Sequence, residues 1–259
     1  GMSGRDIREY ARSVFNKRGE VAARIWRARP GTLGEMMKRG LTITQFNIER
    51  ILGAFLPEQM PERFDQLSIP MQVTATDFYG HCLHVIEDGE LRSALAASAA
   101  LPAVFEPVKR DGRLLIDGGV SNNTAVGQAV ALGSDRVVVV PAGFACDLSD
   151  PPSTPLAALA HSITLLLEQR LIVEVAHFAD QVEIIVAPPL CPLSVNAVDF
   201  GHADELIDRA HADTRSWLEA GNEHLPHQAR FLALHHHSHK HGPGPDRSDR
   251  FPPLVDEVM

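Results

Sequence analysis

Four consecutive valines, Val137 to Val140 behind Arg136, constrain this chain more than any other feature. Valine is stiff at χ1 and favours extended backbone. A continuous β-branched run, with no polar residue on every second position, suits a strand buried on both faces of a parallel sheet. Its neighbours fit that setting. Ala125 to Leu132 reads as a helix ended by Gly133. After a loop at Pro151 to Pro155 comes a long helix, Leu156 to Ala179, and a second buried-type strand, Val182 to Val186. A last amphipathic helix runs from about Ala203 to Leu218. Strands alternating with helices predict an α/β architecture with a largely parallel central sheet.

The first half continues the alternation. Ser3 can cap a helix and Asp6, three residues on, can answer it in a capping box. Ile7, Tyr10, Ala11, Val14 and Phe15 then recur at helical spacing. Pro30 and Gly31 interrupt, short helices follow to about Leu56, and Pro57 and Pro61 mark a loop. From Ile69-Pro70 the character changes. Met71 to Thr76 and His81 to Ile86 read as strands, with Gly80 at the turn between them. An alanine-rich helix, Leu91 to Ala100, precedes a short strand, Leu114 to Ile116, that runs into Asp117-Gly118-Gly119.

Composition narrows the function. The formal charge is -9 and no basic run is dense enough to track a phosphate backbone, which argues against nucleic acid as a partner. Arg5 to Arg29 interleaves basic with apolar residues on predicted helix. A solvated helix surface accounts for this; contact with anionic lipid headgroups, and so a peripheral place at the membrane, is the alternative. Cys82, Cys146 and Cys191 are three, far apart and unpaired in sequence, which fits a reducing cytoplasm. The opening residues are polar and run into a predicted helix, so no signal peptide is expected. The most apolar stretch, Leu165 to Val175, is broken by Glu168, Arg170 and Glu174, so a soluble cytoplasmic protein is expected. We place one domain at residues 1–230 and a disordered tail at 231–259. The tail holds five histidines within seven residues from His235, a loose metal-binding tract without the fixed ligands of a closed zinc site. No resident metal or organic cofactor is expected.

The chemistry concentrates between Ala97 and Asn123. Asp117 closes an apolar strand, and the two glycines after it let other backbone pass close by. A carboxylate there, half withdrawn from water at the carboxyl end of a strand, has the setting of a general base. Asp-Gly-Gly alone is also an ordinary tight turn. Its surroundings are more specific. Ala97-Ser98-Ala99-Ala100-Leu101-Pro102 with Phe105, then Asp117-Gly118-Gly119, resemble the patatin-like phospholipase family. Ile69-Pro70 leading into Thr74-Ala75-Thr76-Asp77, and Gly133-Ser134-Asp135 leading into the valine strand, extend that resemblance in order and spacing. It implies a three-layer αβα fold and a serine hydrolase using a Ser-Asp dyad on lipid acyl esters, without a cofactor. On that reading Asp117 is the general base, Gly118 and Gly119 shape the turn that presents it, and Ser98 is structural.

The family's nucleophile sits in Gly-x-Ser-x-Gly on a strand-to-helix elbow, and these 259 residues contain no such motif. Ser3 follows Gly1 but has Arg5 where the second glycine is needed; Ser121 sits in a turn, Ser134 directly follows Gly133, and none has the paired-glycine spacing that a strained elbow requires. No Gly-x-Gly-x-x-Gly opens the chain either, which also argues against a dinucleotide-binding domain. The opening resembles the family's segment just after the elbow helix, so the first strand and elbow are expected to precede Met2 in a longer gene. A patatin-fold module that binds lipid or protein without catalysis is the alternative. Either way the 259-residue chain is expected to be inactive alone, and to cover its exposed sheet surface by forming a homo-oligomer.

Overall fold

The structure is a computed structural model and describes residues 2–15, 18–27, 47–102, 104–141, 154–190 and 200–224. The Pro30-Gly31 interruption, Cys146, Cys191 and the histidine-rich tail lie outside the described residues. The described residues divide into two compact units. One holds residues 1–125 with 195–208, and the other holds 126–194 with 209–259.

The first unit begins with α1 (Gly4–Phe15) and α2 (Arg18–Arg27), joined later by α3 (Ile48–Phe55). The capping box forms as the sequence predicts: the Ser3 amide donates to Asp6 Oδ2 at 2.8 Å, and the Asp6 amide donates to Ser3 Oγ at 3.2 Å. Phe15 stacks on Phe55 with centroids 5.6 Å apart, and the Tyr10 hydroxyl donates to the Phe55 carbonyl at 2.9 Å. Three arginines of the basic face are engaged within the protein. Arg8 and Arg12 pair with Asp204 and Asp208, and Arg24 donates to the Ala54 carbonyl.

A four-stranded sheet follows: β1 (Val73–Asp77), β2 (Cys82–Ile86), β3 (Val108–Arg110) and β4 (Arg113–Asp117), in spatial order β2-β1-β4-β3. Every neighbouring pair is antiparallel, which corrects the expectation of a largely parallel sheet. The cause lies in the turns. β3 and β4 are joined by two residues, Asp111 (φ 50°) and Gly112 (φ 75°). Both central positions in the left-handed region make a tight hairpin turn, which only antiparallel strands can share. Only four residues connect β1 to β2. Helix α4 (Leu91–Ser98) lies on this sheet, with Ala94, Ala96 and Ala97 fully buried. Small side chains let its backbone approach Ala75 and Leu115, both also fully buried.

The second unit holds α6 (Val126–Ala131), β5 (Arg136–Val139), α7 (Pro155–Phe178) and β6 (Glu183–Val186); a four-residue α5 (Gly119–Asn122) belongs to the first. Here the parallel expectation holds: β5 pairs with β6 in parallel, Arg136 opposite Glu183 and Val139 opposite Val186. Val137, Val139, Ile184 and Val186 pack with Val126, Leu171, Ile172 and Val175 in one core. The valine run is not buried on both faces, however. Val138 and Val140 are 60% and 76% exposed, because the described residues cover only one face of this pair of strands. The α/β class therefore stands, with parallel pairing confined to β5–β6 among the described residues. No helix among these residues is long and apolar enough to cross a membrane. The last long helix, α8, is Ala203–Glu219.

Candidate active site

Asp117 is the last residue of β4, opposite Ala75 of β1. Its backbone is tied on both sides. The Asp117 amide donates to the Ala100 carbonyl at 3.0 Å, and the Gly118 amide donates to the Ser98 carbonyl at 3.2 Å. Ser98 thus contributes a backbone acceptor to the turn. The Ala-Ser-x-Ala segment and the Asp-Gly-Gly segment, nearly 20 residues apart in sequence, meet here through these two bonds.

The glycines are required by space. A Cβ on Gly118 would lie 2.4 Å from the Thr74 carbonyl oxygen, so the turn passes directly over β1 backbone. Its φ of -63° is open to any residue, and contact alone selects glycine here. A Cβ on Gly119 would lie 2.9 Å from Asp117 Oδ1 and 3.1 Å from Asn123 Oδ1. With that Cβ missing, the Gly119 amide reaches Asp117 Oδ1 and donates to it at 2.7 Å.

Among the described residues this is the one hydrogen bond to the Asp117 carboxylate, and Oδ2 has none. The group is half-buried. Burial pushes its pKa above the ordinary aspartate value, and the Gly119 amide offsets only part of that. One oxygen is fixed, the other is unengaged, and basicity is raised. Those are the properties of a carboxylate able to take a proton from a hydroxyl placed beside Oδ2.

The strand-rim argument made from the sequence does not transfer. In an antiparallel sheet the carboxyl ends of neighbouring strands alternate, so the edge beyond Asp117 is not a rim of like ends. Local turn geometry places the carboxylate instead. Ser121, considered as a nucleophile and set aside on spacing, lies on α5 with its Oγ 2.9 Å from Thr76 Oγ1 and 3.3 Å from the Gly118 carbonyl. No hydroxyl among the described residues bonds the Asp117 carboxylate.

Two features escaped sequence reasoning. Thr76 is 6% exposed, and its hydroxyl donates to the Asp117 carbonyl at 2.8 Å. Asp77 is 5% exposed and accepts from the Gly80 amide at 2.9 Å, the Tyr79 amide at 3.2 Å and the Arg113 guanidinium at 2.5 Å. Both belong to the Thr74-Ala75-Thr76-Asp77 stretch, read only as strand and resemblance.

Comparison with known proteins bears on this same stretch. The model of the family described as patatin-like phospholipase matches residues 1–130, which include Asp117 and everything that bonds it. Three uncharacterized NTE family proteins, one from Mycobacterium bovis and two from strains of Mycobacterium tuberculosis, are each 34% identical to this chain over 92 residues. That alignment covers 36% of this chain and 26% of each relative, so the matched stretch spans about a quarter of the relatives' length. With 130 of its 259 residues matched by the family model, the chain belongs to the patatin-like phospholipase family.

Proposed function

We propose that Asp117 is the general base of a serine acyl-ester hydrolase acting on lipids, of phospholipase A or lysophospholipase type. One observation carries this reading. The Asp117 carboxylate has one oxygen held by the Gly119 amide and the other unengaged, on the Asp-Gly-Gly turn of the family-matched stretch. In the reaction, Asp117 removes the proton of a serine hydroxyl as that oxygen bonds to the ester carbonyl carbon. The tetrahedral intermediate then expels the alcohol, which takes the proton from Asp117. Water, deprotonated by the same carboxylate, cleaves the acyl-serine and regenerates both groups. The serine is not among these 259 residues, which hold no Gly-x-Ser-x-Gly.

The test has two arms. Sequencing the native transcript is expected to reveal Gly-x-Ser-x-Gly encoded upstream of Met2. The longer chain should react with a fluorophosphonate and hydrolyse short-chain esters, and Asp117→Asn should lower its kcat by about 100-fold or more. The 259-residue chain should do neither. Labelling of that chain, lost in Asp117→Ala, would overturn the assignment of the missing nucleophile; full activity of the longer Asp117→Asn chain would overturn the role of Asp117.

Self-association is part of the proposal. Val138, Val140 and the exposed Leu159, Leu166 and Val173 of α7 leave apolar surface on the second unit, which supports a homo-oligomer. Light scattering coupled to size exclusion should give a multiple of the chain mass, and a monomer at every concentration would remove this part.

A further inference from the structure

The Thr76 hydroxyl is placed to do more than satisfy itself. A threonine hydroxyl has one proton to donate and two lone pairs to accept with. The proton goes to the Asp117 carbonyl at 2.8 Å, and the Ser121 amide donates back to Thr76 Oγ1 at 3.1 Å. Ser121 Oγ lies 2.9 Å from Thr76 Oγ1 and 3.3 Å from the Gly118 carbonyl, within reach of both. The register makes Ile116 the strand partner of Thr76, so this side chain reaches one residue past its own pair, under the turn. It thereby joins the carbonyl that opens the Asp117–Ser121 turn to the amide that closes it. Between those two anchor points lies the Gly119 amide, the one donor to the Asp117 carboxylate among the described residues.

We propose that Thr76 is a positioning residue for Asp117, its hydroxyl clasping both ends of the turn so that the Gly119 amide stays on Oδ1 and Oδ2 stays open to the nucleophile's hydroxyl. This rests on Asp117 being the general base. Thr76 touches neither substrate nor the reacting oxygen, and it acts through the Gly119 peptide. A valine of the same shape fills the space but leaves the Asp117 carbonyl and the Ser121 amide without this partner. The turn then relaxes, and the carboxylate loses its one stabilising donor while remaining partly desolvated.

NMR on the 259-residue chain tests this without turnover, following the Asp117 carboxyl carbon through a pH titration and the Gly119 amide by hydrogen exchange. In Thr76→Val the Asp117 pKa should rise above its wild-type value. Gly119 exchange should quicken by about fivefold, the factor for losing one hydrogen bond of typical net strength. Thr76→Ser, which keeps the hydroxyl, should restore both. A folded Thr76→Val with an unchanged or lowered Asp117 pKa overturns the clasp. Should that variant not fold, Ser121→Ala carries the test: it must shift the titration the same way by less, and no shift overturns the proposal. A wild-type Asp117 that titrates in the ordinary aspartate range instead sinks the general-base reading and leaves the clasp standing as structure.

Discussion

Asp77 and Asp117 close adjacent strands of one sheet, and each is followed by a turn whose glycine donates its amide to the carboxylate. The Gly80 amide lies 2.9 Å from Asp77 Oδ1, and the Gly119 amide 2.7 Å from Asp117 Oδ1. In both places a Cβ on the glycine would come within 2.9 Å of the carboxyl group. Their acidities nevertheless move in opposite directions. The Gly80 amide, and next the Arg113 guanidinium, hold Asp77 below the ordinary aspartate value against the opposing effect of desolvation. Among the described residues Asp117 has one donor and no cation, and burial raises it. The difference teaches that hydrogen-bond donors and a cation dominate at Asp77, whereas burial dominates at Asp117, where a single amide does not offset it.

Four measurements bear on that contrast, beginning with the largest effect. Gly118→Ala drives a methyl group into the Thr74 carbonyl, a backbone atom with no rotamer to yield, and should cost about 3 kcal/mol in urea denaturation. A loss near zero would mean that the Asp117 turn is looser than described, and the contrast with Asp77 would lose its geometric basis.

Asp77→Asn comes next. Because the native pKa of Asp77 is lowered, its contribution to stability is present above the unfolded value and is lost as pH falls through the native one. The variant should therefore be less stable than wild type at neutral pH, and the gap should close on acidification. A pH-independent gap would assign the loss to shape and not to charge.

For Asp117→Asn the sign reverses. A raised native pKa means that the folded state disfavours the ionised form, so the penalty is complete above the native pKa and is relieved as pH falls toward the unfolded value. The variant should be more stable than wild type at neutral pH, and the gap should close on acidification. Thermal melts of the two Asn variants at several pH values would show the opposed slopes, and parallel slopes would break the comparison. Smallest of all is Arg8→Ala. The Arg8–Asp208 pair is about one-third to one-half exposed, and its loss should change stability by roughly 0.5 kcal/mol or less, shrinking further in salt.

Much of this architecture was legible in the residues. The capping box at Ser3, the alanine-rich helix before Leu101-Pro102 and the strand into Asp117 lie within a residue or two of where periodicity puts them. The parallel β5–β6 pair follows from the β-branched runs themselves. Expecting a largely parallel sheet overlooked Asp111-Gly112, a hairpin signal in plain view, and with it β3. The expectation of a doubly covered valine strand failed because a β-branched run reports extended backbone, and which faces are covered depends on distant segments. The site divides the same way. Asp117 and its glycines stand together in the chain, whereas Thr76 meets them from 41 residues away through a hydroxyl that no local pattern marks.

The tight turn at Asp111-Gly112 also bears on the order in which the protein is built. The ribbons β3–β4 and β1–β2 each close a short loop and can zip on the microsecond scale, while the β1–β4 seam waits for distant chain to meet. Asp117 is carried on an early-forming piece, yet it acquires its setting only when that seam docks. In pulse-labelling during refolding, the Leu115 amide, which β3 faces, should gain protection ahead of Gly119, making the Asp117 turn a late marker of assembly.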